Sequence, residues 1–285
     1  PYGRNPEEPP FNLDFYCHVG PLARTVADTI LLQNVMCGPH PKDIASLRPK
    51  LKLPSNYKSI DGWKIAYSPN LGFYEVDEGV QRNTEAALEV FRACGATVEE
   101  VELGWTQDCL TAALTYLEHL FGASIAPTLD KHSDKLTDYA RQFAEKGRSS
   151  TSADYLWSLE VAGKMYNSLG PVLEAYDVLV CPTTALPAVA ADFDQSRDTV
   201  EINGKQVNPM LGWVMTSPFN IMSRCPVLTL PSGRASNAIP TGIQIVGKTY
   251  QDADVFRAAT AYEAAAGAWF TNQNNRPKLN KAQPD

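Results

Sequence analysis

Three short apolar runs limit what this chain can fold into: DVLVCP (177–182), PVLTLPSG (226–233) and TGIQIVG (241–247). Each is a brief stretch of mostly apolar side chains bounded by Pro, Gly or Asp, the pattern of a strand buried on both faces. Such strands need a sheet with a layer packed on each side. Upstream, WKIAYS (63–68) follows the Asp61-Gly62 turn and predicts another short strand, and PNLGFYEVD (69–77) predicts a loop. Val80, Thr84, Ala87, Leu88 and Phe91 then mark a helix that stops at Gly95, and ATVEEVEL (96–103) predicts a strand. Strand, helix, strand is the rhythm of a mixed or parallel α/β sheet.

The helical signals complete the plan. Leu22, Val26 and Ile30 recur every four residues with Ala23, Ala27 and Leu31 in the adjacent row, which predicts a helix from Pro21 to Cys37 stopped by Gly38-Pro39. On that reading Arg24 sits in the first turn, at the unfavourable end of the dipole, with Asp28 one turn on. Residues 106–175 are largely helical in pattern, and Thr151 with Asp154 makes a capping box. A last helix begins near Asp252 and buries Val255, Phe256, Ala259, Tyr262 and Ala266. The expected organisation is one domain with a sheet core over 20–105 and 176–268, a helical layer over 106–175 and a polar, mobile tail over 270–285.

Charge and cysteines narrow the function class. A net charge of −7 without clustered Lys or Arg argues against direct nucleic-acid binding. Apolar runs such as Val178 to Cys181 are far shorter than the roughly 20 residues that cross a bilayer, and no signal peptide opens the chain. Six scattered cysteines, with no C-x-x-C, fit neither a disulfide framework nor a zinc site, so a reduced, cytoplasmic setting is expected. The opening PYGRNPEEPPFNLDF has four prolines in ten residues and reads as an internal loop, so a fragment, a processed product or one subunit is expected.

Few local motifs point to chemistry. Cys17-His18 suggests a thiol nucleophile with its base, yet adjacent residues on an extended segment face opposite ways, which favours packing in a pocket wall. His40, His119 and His132 lack metal-ligand spacing. G-x-S-x-G is absent, and the one S-x-x-K, Ser55 to Lys58, lies in a polar loop. GIQIVGKT (242–249) satisfies the phosphate-loop pattern, but its intervening residues are a strand and no helix follows the Lys directly. What remains are loops at strand ends, CPTTALP (181–187) and MTSPFNIMSRCPVLTLPSG (215–233), which are natural pocket walls in an α/β sheet.

These residues carry a resemblance. VGPLARTVADTILLQNVMCGPHPKD (19–43) is similar to the segment just after the catalytic core of the amidase signature family, where G-P-[LM]-A-R-[TS]-V-x-D precedes a helix. PYGR (1–4), YDVLVCPTTALPA (176–188), SPFNIMSRCPVLTLPSG (217–233) and PTGIQIVGKTYQDADVFRAATAYE (240–263) follow the same family's pattern in order. The resemblance implies the amidase-signature α/β fold, a mixed sheet between helical layers, of which this chain would be the C-terminal part. It also implies amide hydrolysis by a Ser nucleophile, a Ser in a cis peptide and a Lys base, all N-terminal to Pro1 and therefore outside this chain. No metal and no cofactor are implied.

The carry-over is limited to matching positions. Gly20, Pro21 and Arg24 match the motif behind the active loop, and Phe219 and Gln244 match supporting core positions. Pro182, Thr183, Thr184 and Asn220 match positions at the substrate channel, with Cys17 and His18 in its wall. The family often has Asp where this chain has Cys17, so a carboxylate that could anchor the active loop is replaced. Tyr116, His119, Phe121 and Tyr155 are candidate pocket residues, with core packing the better expectation. The expected partners are an N-terminal amidase segment, separate or cleaved, and a small-molecule amide, with a possible homodimer of the complete unit. The competing classes are a noncatalytic subunit or scaffold with this fold, and a protein like the tRNA-dependent glutamyl amidotransferases' amidase component.

Overall fold

A computed structural model describes residues 1–267 and 269–275. In chain order the main elements are α1 (Val26–Met36), β1 (Lys64–Tyr67), α2 (Glu78–Ala93), β2 (Thr97–Glu100), α3 (Asp108–Leu117), α4 (Ala123–His132), α5 (Asp138–Ser149), α6 (Ser152–Ala175), β3 (Val178–Pro182), β4 (Val200–Ile202), β5 (Lys205–Val207), α7 (Ser217–Ile221), β6 (Val227–Arg234), β7 (Pro240–Val246) and α8 (Asp252–Ala266). Five strands form one sheet in the order β2-β1-β3-β7-β6. β1 runs parallel to β2 and β3, whereas β7 is antiparallel to both β3 and β6.

Alternation along the strands builds the two cores. Ile65, Tyr67, Val178, Val180, Ile243 and Ile245 point to one face, where α1, α2 and α8 cover them with Ile30, Phe91 and Phe256. Ala66, Leu179, Cys181 and Val246 point to the other, against Leu110, Tyr116, Met165, Leu169 and Phe219 of α3, α6 and α7. The result is a mixed sheet between two helical layers. A π-turn (Glu118–Gly122) joins α3 to α4, so the helical run 108–135 reaches the length and apolarity of a membrane span. It packs along α6 and α5 within this domain.

Two differences from the sequence reading have physical causes. The first helix begins at Val26 rather than Pro21, because Thr25 accepts from the Asp28 N–H (3.1 Å) as the N-cap. Both carboxylate oxygens of Glu263, on α8, also accept from the Val26 N–H, at 3.0 and 3.1 Å. Leu22, the supposed first member of the helical stripe, is 96% exposed. Arg24 therefore precedes the helix, and Asp28 bonds Thr25 rather than pairing with it. The second difference is the β4–β5 hairpin, turned by Asn203 and Gly204 at positive φ. The Thr151–Asp154 capping box is formed in full at the start of α6. Within the polar tail, residues 269–271 and 273–275 form 3-10 turns, and 276–285 lie outside the described residues.

Candidate functional site

A concavity of about 660 Å³ runs along the open edge of β6. One wall is β6 itself from Val227 to Ser232, and the other is the extended segment His18–Thr25 with the start of α1. The ladder fixes which β6 groups face it. Gly247 donates to the Pro226 carbonyl, so 226/247 is a hydrogen-bonded pair and the alternate pairs 227/246 and 229/244 are not. The backbone N–H and C=O groups of Val227 and Thr229 therefore point away from β7, along the free edge.

The expected site residues divide into two groups. His18, Gly20, Pro21, Arg24, Phe219, Asn220 and Gln244 all line the groove. Cys17, Pro182, Thr183 and Thr184 do not. Gln244, fully buried on β7, donates to the Pro182 carbonyl at 3.0 Å and to the Met215 carbonyl at 2.8 Å. It thereby ties the strand-end loop to the segment carrying Phe219 and Asn220, while its Oε1 is buried without a hydrogen-bond partner. Asn220 donates to the Tyr16 carbonyl at 2.8 Å, holding the groove floor to the segment that leads into His18. Thr183 hands its N–H to Gly242 and leaves its buried hydroxyl unpartnered; Thr184 bonds the Leu186 carbonyl.

His18 lines the groove and Cys17 does not, as suits neighbours on an extended segment. Burial pushes the Cys17 thiol up to about 12, helped by the charge and hydrogen bonding of Asp14, so at neutral pH it is a thiol and not a thiolate. Burial also lowers His18 to about 4, so its imidazole is neutral, and its Nδ1 is buried with no hydrogen-bond partner. Arg24 is exposed at the groove and has no ion pair among the described residues. No lysine lines the groove among the described residues.

Asp14 is the residue that sequence reasoning missed. Its carboxylate, 3% exposed, accepts from the Tyr116 hydroxyl at 2.8 Å and the Tyr16 N–H at 2.9 Å. It also stands beside Cys17, so a carboxylate adjoins the position whose own carboxylate is replaced. No motif marked it, because Asp14 meets Tyr116 across more than a hundred residues. Tyr116, stacked on Tyr16 with ring centres 3.6 Å apart, is core, and His119 packs on Tyr155 with Nδ1 2.9 Å from the Ser150 hydroxyl.

A mixed sheet between helical layers, with a groove along one open edge, defines an α/β domain of three layers. The model of the family described as Amidase matches residues 12–256, and the chain belongs to that family. It is 27% identical over 262 residues to an acylamidase of Rhodococcus erythropolis, covering 87% of this chain and 52% of that protein. It is 26% identical over 254 residues to an amidase of Pseudomonas putida, covering 87% of this chain and 53% of that one. A component of the glutamyl-tRNA(Gln) amidotransferase of Oceanobacillus iheyensis is 25% identical over 296 residues, covering 93% of this chain and 57% of its own. The solved structure of a bacterial aryl acylamidase of the amidase signature family superposes with a TM-score of 0.84 at 26% identity, over 98% of this chain and 60% of its own. The fold is the amidase-signature fold, and the chain spans little more than half the length of these relatives.

Proposed function

We propose that these residues are the C-terminal portion of an amide hydrolase whose Ser nucleophile, cis-peptide Ser and Lys base lie on a segment N-terminal to them in the fold. In this reading that segment seats along β6 and against the lip His18–Thr25. The observation that carries it is the groove itself: it offers amide-recognising groups in Asn220 and Gln244, a neutral imidazole in His18, and no lysine among its described lining. A Lys acts as a base only where its environment lowers its pKa, and a seated segment would bring its Lys against apolar Val227 and Phe219, which would desolvate it.

Two further features support docking here. The outward N–H and C=O groups of Val227 and Thr229 are placed to pair with an added strand. The lip and the outer side of α1 carry exposed apolar side chains, with Leu22 at 96%, Val35 at 69% and Leu31 at 65% exposure, more than a helix facing water needs. In the assembled groove, Gln244 Oε1 and His18 Nδ1 would accept from the incoming segment or from the substrate amide. The substrate is a small-molecule carboxamide, cleaved to carboxylate and amine or ammonia.

The test is a fluorophosphonate probe applied to the protein as purified, followed by intact mass. Label on a segment outside residues 1–285, with amide hydrolysis lost in step, is the expected result. A monodisperse preparation of this polypeptide alone that hydrolyses amides would overturn the reading.

A further inference from the structure

A second concavity, of about 280 Å³, opens outside the carboxyl ends of β1 and β2 and shares no lining residue with the groove. Its place in the topology matters. From β1 the chain passes through α2 to β2 on one side, and later reaches β3 on the other, both parallel to β1. Crevices at the carboxyl ends of parallel strands, where the order reverses, are where open α/β sheets hold ligands. We propose that this crevice binds an organic primary ammonium group, between the Tyr67 hydroxyl and the carboxylates of Glu85 and Glu100.

Three observations converge. Tyr67 is 9% exposed, lines the crevice, and its hydroxyl has no hydrogen-bond partner among the described residues. Glu85, on α2, and Glu100, at the end of β2, line the same crevice and have no ion-pair or hydrogen-bond partner among the described residues. Both face the Tyr67 hydroxyl closely enough that, after burial, their negative charge is what raises its pKa. An unpartnered hydroxyl on a side chain only 9% exposed, with two uncompensated carboxylates around the same small void, is the complement of a cation with N–H donors.

The chemistry of the rim selects an ammonium over a metal ion. No group of three His, Cys, Asp or Glu side chains is placed to hold a metal among the described residues. The crevice already shows the preferred partner: Glu75 at its rim accepts from the Lys205 ammonium at 2.7 Å, with Asn203 on its other oxygen at 2.7 Å. Tyr67, Pro69 and Tyr74 line the crevice with carbon surface that suits the methylenes next to such a charge.

Isothermal titration of the protein as purified, with n-butylammonium chloride at low ionic strength against matched sodium chloride, tests this directly. The expected result is saturable one-site binding of butylammonium that sodium does not reproduce. The double variant E85Q/E100Q should bind about tenfold more weakly, and Tyr67→Phe about threefold. Both glutamates are exposed, so the double variant should keep the wild-type circular dichroism and amide hydrolysis. Absence of saturable butylammonium binding, equal response to sodium, or unchanged affinity in E85Q/E100Q would each overturn the proposal.

Discussion

The sheet has two free edges, and they are built in opposite ways. β2 is four residues long, carries Glu99 and Glu100 on its exposed run, and has Glu99 held by the Tyr176 hydroxyl at 2.7 Å. β6 is twice that length, presents Val227 at 38% exposure, and borders an apolar groove. A short, charged edge repels further strands, whereas a long apolar one invites them. One edge is short and charged; the other is long and apolar. The same division runs through the helices: α2 places Arg82 and Glu78 toward solvent, while α1 turns Leu31 and Val35 outward.

The contrast is broken most severely at the centre of β6. Thr229→Pro removes an outward N–H without touching the ladder to β7. If a catalytic segment docks on this edge as proposed, the variant should unseat that segment and lower amide hydrolysis at least about a hundredfold, read by steady-state rates. Next comes Gln244→Leu, which strips the donors from the buried Pro182 and Met215 carbonyls. Urea unfolding should show a loss of about 2 kcal/mol, with the loop carrying Phe219 and Asn220 loosened against β7.

A smaller effect belongs to His18. Its pKa in the folded chain is about 4, below its ordinary 6.5, so the native state binds fewer protons than the unfolded one. Its contribution to stability is complete above pH 6.5 and is lost as pH falls toward 4. His18→Leu should flatten that part of the acid limb, and the His18 ring protons should titrate near pH 4 by NMR. The smallest change is expected on the charged edge: Glu99→Ala should alter stability by no more than about 0.5 kcal/mol and leave association untouched.

Much of the layered fold was legible because strand signals here are short, local and bounded by turn residues. β1, β2, β3 and β7 fall within two residues of their expected spans at each end except where ATVEEVEL frays after Glu100. The family motifs were legible for the same reason, being contiguous. Errors arose where a tertiary partner decides: the apolar period ran back to Leu22, but Thr25 and the distant Glu263 fix the helix start at Val26. The Asn203-Gly204 hairpin did carry a local signal, an alternating V-E-I and K-Q-V around a type of turn that favours positive φ, which a search for longer apolar runs passes over. Asp14 and the Tyr67 crevice had no local signal, because each is assembled from residues far apart in sequence.

Hydrogen exchange at single-residue resolution on the native protein is the most direct test of the β6 edge. The Val227 and Thr229 amides, which have no backbone partner among the described residues, should be protected at least about a hundredfold more than an unstructured amide. Free exchange at both positions in the purified, active protein would contradict the docking of a catalytic segment along β6.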